Sequence, residues 1–262
     1  MKILFFGDIV GKVGRNAILN NIDQLKLQYE CDFVIANAEN SAHGKGITSK
    51  IYYRLKESGV DCLTLGNHAF SKSEIKMTIN DLDSLVRPVN LDPTHYGKSY
   101  RIFNVKGIRL CVTNILGEVF MDRVVSSPYS AMEKVLDETK GMVDIYLVDL
   151  HAEATGEKMI FMNHFKDEVI AVLGTHTHVQ TADEKVVDGC AYITDVGMCG
   201  AYDSILGRDT EEVLQRTILN EKTRYTISDN PAMISAVVIE IDDSTLRALN
   251  ITRINLHPSK LL

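Results

Sequence analysis

Three times in the first seventy residues a short apolar run stops abruptly at polar residues. Lys2–Gly7 stops at Gly7-Asp8, Asp32–Asn37 at Ala38-Glu39-Asn40, and Val60–Leu65 at Gly66-Asn67-His68. Between the runs the apolar period lengthens to that of a helix. Ile18, Leu19, Ile22 and Leu25 share one face of Asn16–Tyr29, and Thr48 stands as the N-cap of a helix to Ser58 that Gly59 stops. Such a βαβαβ order with short loops predicts a parallel sheet with right-handed crossovers. Ligands of these sheets gather at the carboxyl ends of the strands. Asp8, Glu39, Asn40, Asn67 and His68 therefore fall on one rim.

Downstream the pattern repeats with more strands. A helix capped by Ser71 or Ser73 is expected to run to about Asn80. Ser99–Val105 and Ile108–Ile115 flank Lys106-Gly107 as a β-hairpin, and Ser126–Lys140 reads as a helix. Val143–Val148 is a buried strand with His151 just past its end, and a helix over Thr155–Phe165 leads into the strand Val169–Gly174. Lys185–Val187 and Ala191–Thr194 are short strands, Asp195–Gly200 a loop, and Asp209–Leu219 a helix. Met233–Ile241 and Leu246–Ile254 close the chain as a hairpin. The late strands point to a second sheet packed on the first. No repeat, low-complexity tract or linker breaks the chain, so one domain over residues 1–262 is expected.

The charge balance narrows the partners. With a net charge of −7 over 262 residues, the chain offers no broad basic face for stable nucleic-acid binding. A small nucleotide held through metal ions is compatible with it. No apolar run reaches the roughly 20 residues of a membrane helix. The run Met1–Phe6 is too short for the apolar region of a signal peptide, so a cytoplasmic protein with no membrane partner is expected. Cys31, Cys62, Cys111, Cys190 and Cys199 form no C-x-x-C pair and read as reduced thiols.

Gly174-Thr175-His176-Thr177-His178 sets two imidazoles at i and i+2 beyond a strand. Taken alone it is either a polar loop or two nitrogen ligands for a metal. The other strand ends weigh toward the metal. Asp8, Glu39, Asn40, Asn67, His151, His176 and His178 make a mixed N/O donor set without cysteine, which suits Mn, Fe, Zn or Co. Seven donors exceed one four-coordinate ion. They suit two ions sharing a carboxylate, roughly 3.5–4 Å apart, an arrangement used for phosphoester hydrolysis.

The order of these motifs resembles the calcineurin-like metallophosphoesterases, whose signature runs D-x-H, G-D, G-N-H, a lone H, then G-H-x-H. Gly66-Asn67-His68 matches G-N-H, His151 stands at the lone histidine, and Gly174–His178 resembles G-H-x-H with an inserted threonine. Val10 stands where D-x-H has histidine, and Glu39 replaces the usual bridging aspartate. Asn37-Ala-Glu-Asn40, Asp149-Leu-His-Ala-Glu-Ala-Thr-Gly-Glu-Lys158, Thr175-His-Thr-His-Val-Gln-Thr-Ala-Asp183 and Thr194-Asp-Val-Gly-Met198 resemble the bacterial YmdB-type phosphoesterases. That resemblance covers nearly the whole chain. It implies a four-layer α/β/β/α sandwich of two mixed sheets flanked by helices. It also implies two divalent or mixed-valence ions, iron or manganese, and phosphodiesterase activity on cyclic nucleotides, 2′,3′-cyclic and also 3′,5′-cyclic forms.

Carried over by position, one ion takes Asp8, Glu39, Asn40 and His178, and the other Glu39, Asn67, His151 and His176, with Glu39 as the bridge. Asn40 stands in for the absent histidine. A hydroxide between the ions is the expected nucleophile. His68 is the expected catalytic residue, giving a proton to the leaving alkoxide or stabilising the transition state.

Other features carry less. Gly11-Lys-Val-Gly-Arg15 opens a helix, either as a phosphate contact or as a simple tight turn. Asp149, Glu153 and Asp195 could orient ligand histidines, but capping or solvation is the default for each. His43, His95, His164 and His257 read as surface or core residues. Substrate-pocket residues leave no sequence signature, and the chain is compatible with a homo-oligomer. Two rival readings stay open: a phosphomonoesterase or nucleotidase with the same metals, and a regulatory metal-binding scaffold with incidental hydrolysis.

Overall fold

The computed structural model describes residues 1–93, 95–122 and 124–261. The chain begins β1 (Lys2–Phe6), β2 (Asp8–Ile9), α1 (Gly11–Tyr29), β3 (Phe33–Asn37), α2 (Ser49–Glu57), β4 (Cys62–Thr64), α3 (Ile75–Thr78) and β5 (Leu85–Val86). The hairpin β6 (Tyr100–Val105) and β7 (Ile108–Leu116) follows. Then come α4 (Pro128–Thr139), β8 (Ile145–His151), α5 (Thr155–Phe165), β9 (Ala171–Thr175), β10 (Lys185–Val187) and β11 (Cys190–Ile193). The chain closes with β12 (Met198–Ala201), α6 (Thr210–Thr217), β13 (Ala232–Asp242) and β14 (Arg247–Leu256).

Alternation along the strands assigns their two faces to different layers. Ile3, Phe5, Phe33 and Ile35 meet Leu110, Val112, Leu147 and Leu173 of the other sheet in one apolar cluster. The intervening Leu4, Phe6, Val34 and Ala36 pack instead on Ile18, Ile22 and Leu25 of α1 and Leu55 of α2. On the far side, Val148, Leu150 and Val172 pack on Met132 and Val135 of α4 and Phe161 and Phe165 of α5. Helix, sheet, sheet and helix are thus stacked in four layers. The first sheet orders β2-β12-β13-β1-β3-β4-β5, with β14 also paired to β13; the second orders β10-β11-β9-β8-β7-β6. Both are mixed, with parallel cores β1-β3-β4-β5 and β7-β8-β9-β11.

The structure departs from the sequence expectations at β5, a strand the sequence did not announce, and in four further places. Helix α1 starts at Gly11 rather than Asn16, because Gly14 packs against β12, where a Cβ would collide with the Cys199 carbonyl. The helix expected from Ser71 or Ser73 is one turn, α3, whose N-cap Glu74 makes no side-chain cap bond; Ile75 alone of its residues is buried. A single anchor does not sustain a longer helix. The loop expected over Asp195–Gly200 contains β12, paired parallel to β2 through Met198↔Asp8 and Cys199↔Ile9. A two-residue ladder carries no readable period. His151, expected past a strand end, is the last residue of β8.

Phe5 is fully buried between the sheets. Phe5→Ala is expected to lower unfolding free energy by about 3–5 kcal/mol, measured by urea denaturation. A loss under about 1 kcal/mol would contradict a close-packed seam there.

Candidate active site

The carboxyl ends of the parallel strands from both sheets meet at one edge. The first sheet brings Asp8 in β2, Glu39 and Asn40 just after β3, and Asn67 and His68 just after β4. The second brings His151 at the end of β8 and His176 and His178 after β9. Asp8, Glu39, Asn40 and His151 are buried; Asn67, His68, His176 and His178 are half-buried.

The donors fall into two groups. His151 Nε2 lies 3.1 Å from Glu39 Oε1, 3.1 Å from Asn67 Oδ1 and 3.1 Å from His176 Nδ1. His178 Nε2 lies 3.2 Å from Asn40 Oδ1 and 4.0 Å from Asp8 Oδ1. Asp8 Oδ2 accepts the His176 amide at 3.1 Å, whereas its buried Oδ1 has no hydrogen-bond partner among the described residues. An orphaned carboxylate oxygen among converging lone pairs is what a bound cation would satisfy. Glu39, His151 and His176 each offer a ligand atom within 4.8 Å of the others. Gly66 makes this packing feasible, since a Cβ there would strike Glu39 Oε2 and His151 Nε2.

The outer nitrogen of each histidine meets an acceptor, which assigns its proton. Thr175 Oγ1 donates to Asp149 Oδ1 at 2.6 Å, so it accepts from His151 Nδ1 at 2.9 Å. His178 Nδ1 donates to the Leu206 carbonyl at 3.1 Å. His176 Nε2 sits 3.0 Å from Glu153 Oε2. His176 and His178 are thereby left with an inner lone pair toward the cluster, and His151, whose Nε2 carries a proton toward Glu39, would present one once that proton is lost.

Supporting groups fix these loops. Asp149 also accepts from Thr64 Oγ1 and from Asn37 Nδ2 at 2.9 Å. Lys158, fully buried, donates from Nζ to Asp195 Oδ2 and to the Thr175 carbonyl, both at 2.9 Å. Asp195 in turn accepts the Thr177 amide at 3.0 Å. Asp149 and Asp195 thus neither cap helices nor face solvent, and the default reading of the two is corrected. Each sits where a charged carboxylate has internal donors to satisfy it. Glu153 is half exposed, yet it holds His176.

The crowding perturbs the titrations. Burial raises the Asp8 pKa to about 7, against the pull of His178 and His151. Burial opposes ionisation of Glu39 as well, but the His151 charge and hydrogen bond outweigh it and hold Glu39 down to about 2. Burial likewise disfavours charge on His151, yet Glu39 raises it to about 9. Burial and the neighbouring His151 push His176 down to about 3. Burial lowers His68 too.

The profile of the YmdB-like protein family matches residues 4–254 of this sequence. The chain belongs to that family. Among its relatives is the Bacillus subtilis (strain 168) 2′,3′-cyclic-nucleotide 2′-phosphodiesterase, 42% identical over 255 residues, 97% of this chain and 96% of that protein. A solved structure of a phosphatase from Mycoplasma pneumoniae superposes with a TM-score of 0.91 at 37% identity, covering 98% of this chain and 93% of that one. A provisionally assigned 5′-nucleotidase from Staphylococcus aureus shares the fold alone: TM-score 0.62, 16% identity, 98% of this chain and 54% of that one. The fold is therefore of the metallophosphoesterase kind.

Outside the cluster, a cavity of about 330 Å³ is lined by Glu39, Asn40, His68, His176 and His178, together with Lys45, Arg208 and Tyr225. Sequence reasoning missed the last three, which lie in loops with no periodic pattern. Arg208 Nη2 donates to both Glu212 oxygens at 2.8 and 2.7 Å. Its guanidinium lies 4.7 Å from the Tyr225 ring centre, and Lys45 Nζ lies 5.3 Å from it. His43, His95, His164 and His257 are all exposed and stand outside the cluster.

A proton sits on Asp8 below about pH 7 and on His151 below about pH 9. A cation entering the cluster has to displace them. Mn²⁺ titrated into chelator-treated protein should therefore release protons, read by calorimetry in buffers of different ionisation heat. Its affinity should fall as pH drops from 8 to 6. Heats independent of buffer would contradict these protonation states.

Proposed function

We propose that the chain is a metal-dependent phosphodiesterase that opens cyclic nucleotides, the 2′,3′-cyclic forms first. The chain is a hydrolytic phosphoesterase by family; the substrate is extended to it from what the Bacillus subtilis relative is named for. The observation that carries the metal reading is the pair of donor groups around the orphaned Asp8 oxygen. Glu39, Asn67, His151 and His176 would hold one ion, and Asp8, Glu39, Asn40 and His178 the other. Iron or manganese suits such oxygen and imidazole donors. Bound cations supply Lewis acidity and lower the pKa of water from 15.7 to about 7.

The chain's own residues do the rest. Asp149 through Thr175, the Leu206 carbonyl and Glu153 hold the three imidazoles in one tautomer each. The His68 amide donates to Glu39 Oε2 at 3.2 Å, which fixes both residues. The His68 ring makes no hydrogen bond among the described residues and lines the cavity. Its lowered pKa makes it a neutral N–H donor near pH 7, suited to meet charge building on the leaving oxygen. Tyr225, with Lys45 and Arg208 over its ring, lines the same cavity and would bound the rest of the nucleotide.

The cavity's charge favours a diester over a monoester. Glu212 already neutralises Arg208, leaving Lys45 as the one unpaired lysine or arginine lining the cavity among the described residues. A diester monoanion matches that better than a monoester dianion. With Mn²⁺, hydrolysis of 2′,3′-cyclic AMP is expected to exceed that of 5′-AMP by at least about tenfold, with 3′,5′-cyclic AMP as the third substrate compared. Faster release of phosphate from 5′-AMP would give the nucleotidase reading instead. No turnover with both ions bound would leave the scaffold reading. Glu39→Gln keeps the shape but loses the charge and one ligating oxygen. It is expected to stay folded, bind fewer than two ions by metal analysis, and lose nearly all diesterase activity. Two retained ions with wild-type turnover would remove Glu39 from the bridge.

His68 is separable from the ions. His68→Ala should retain both metals and slow a ribose-leaving substrate by ~10²–10⁴-fold. A nitrophenyl diester, whose leaving group needs little help, should lose much less. Equal losses on the two substrates would make His68 an orienting residue only.

A further inference from the structure

The loop that follows Glu39 and Asn40 also lines a second cavity of about 410 Å³. Arg15, His43, Lys50, Arg54 and Lys72 line it, and no acidic residue does. Arg15, Lys50, Arg54 and Lys72 alone put four cations there, against the overall balance of a chain of net charge −7. None of the five makes an ion pair among the described residues. Arg15 is half-buried, donates from Nη1 to the Ser41 carbonyl, and has its pKa lowered by burial and by the like charge of Arg54. Lys50 stands in the first turn of α2, which holds no acid and is capped by Thr48. Cations are disfavoured at that end of a helix dipole. Like charges held together at such a place are stabilised by an anion.

We propose that this cavity is a second anion site, separate from the metal cluster, that takes a phosphate-bearing ligand. Phosphate fits because arginine forks and lysine point charges both bind its oxygens. The two cavities share the loop from Asn40 to Thr48. Asn40 and Lys45 line one, and Ala42, His43 and Thr48 the other. The Arg15 bond to Ser41 ties the second cavity to the residue next to Asn40. Neither the diesterase reading nor the metal assignment is needed for this site.

The test counts bound phosphate. Inorganic phosphate is titrated calorimetrically into metal-loaded protein and into the Lys50→Glu/Arg54→Glu variant, whose changed residues are exposed on α2. Lys50→Gln/Arg54→Gln serves as a milder variant should the first melt early. The wild type is expected to bind two phosphates per chain. The variants should lose one event, by at least about tenfold in Kd, and keep their activity on a nitrophenyl diester. AMP repeats the titration: tighter binding than phosphate at the lost event makes the ligand a nucleotide, and equal binding makes it the phosphate group itself. The same events with unchanged Kd in the wild type and in both variants overturn the site.

Discussion

Seven lone-pair donors crowded at one partly buried rim are the constraint on which the rest of this structure depends. Left alone they cost desolvation, which the titrations of Asp8 and His176 record, while Glu39 and His151 offset it by holding each other charged. The surrounding chain is shaped to hold them. Gly66 withholds the Cβ that would push Glu39 and His151 apart. Each histidine is gripped on its outer nitrogen by a hydroxyl, a carbonyl or a carboxylate. The acids behind them, Asp149 and Asp195, are satisfied by Thr64, Asn37, Thr175 and Lys158. Loss of Lys158 would leave the Asp195 charge uncompensated in the interior, a costly change in such pairs.

The layers and the rim could be read from the sequence for one physical reason. Strands buried on both faces read as unbroken apolar runs and packed helices as a period of 3.6, and β1, β3, β4 and α2 follow these patterns. All eight candidate site residues meet at one edge because parallel strands all end there. The order of motifs gave the family resemblance, and the family profile spans the same chain.

What escaped the sequence has causes as particular. β2 and β12 are short, and their ladder is visible only once the fold brings Asp8 and Met198 together. Gly14 reads as a loop glycine yet sits inside α1, because close packing rather than a turn demands it. Asp149 carried a usable signal: an acid within the apolar run Leu147-Val-Asp-Leu150 is too costly to bury without donors. Lys45, Arg208 and Tyr225 had none, since their roles arise from loops folding back over the cavity.

The donors divide by origin. Every oxygen donor in the set comes from the first sheet, and every imidazole from the second. Neither half is a complete coordination sphere. A cation held between them would act as a clasp, adding to the bonds that Asn37 and Thr64 of the first sheet make to Asp149 of the second. Occupancy and the spacing of the sheets would then be one variable: a movement that parted the layers at this rim would also release a bound cation.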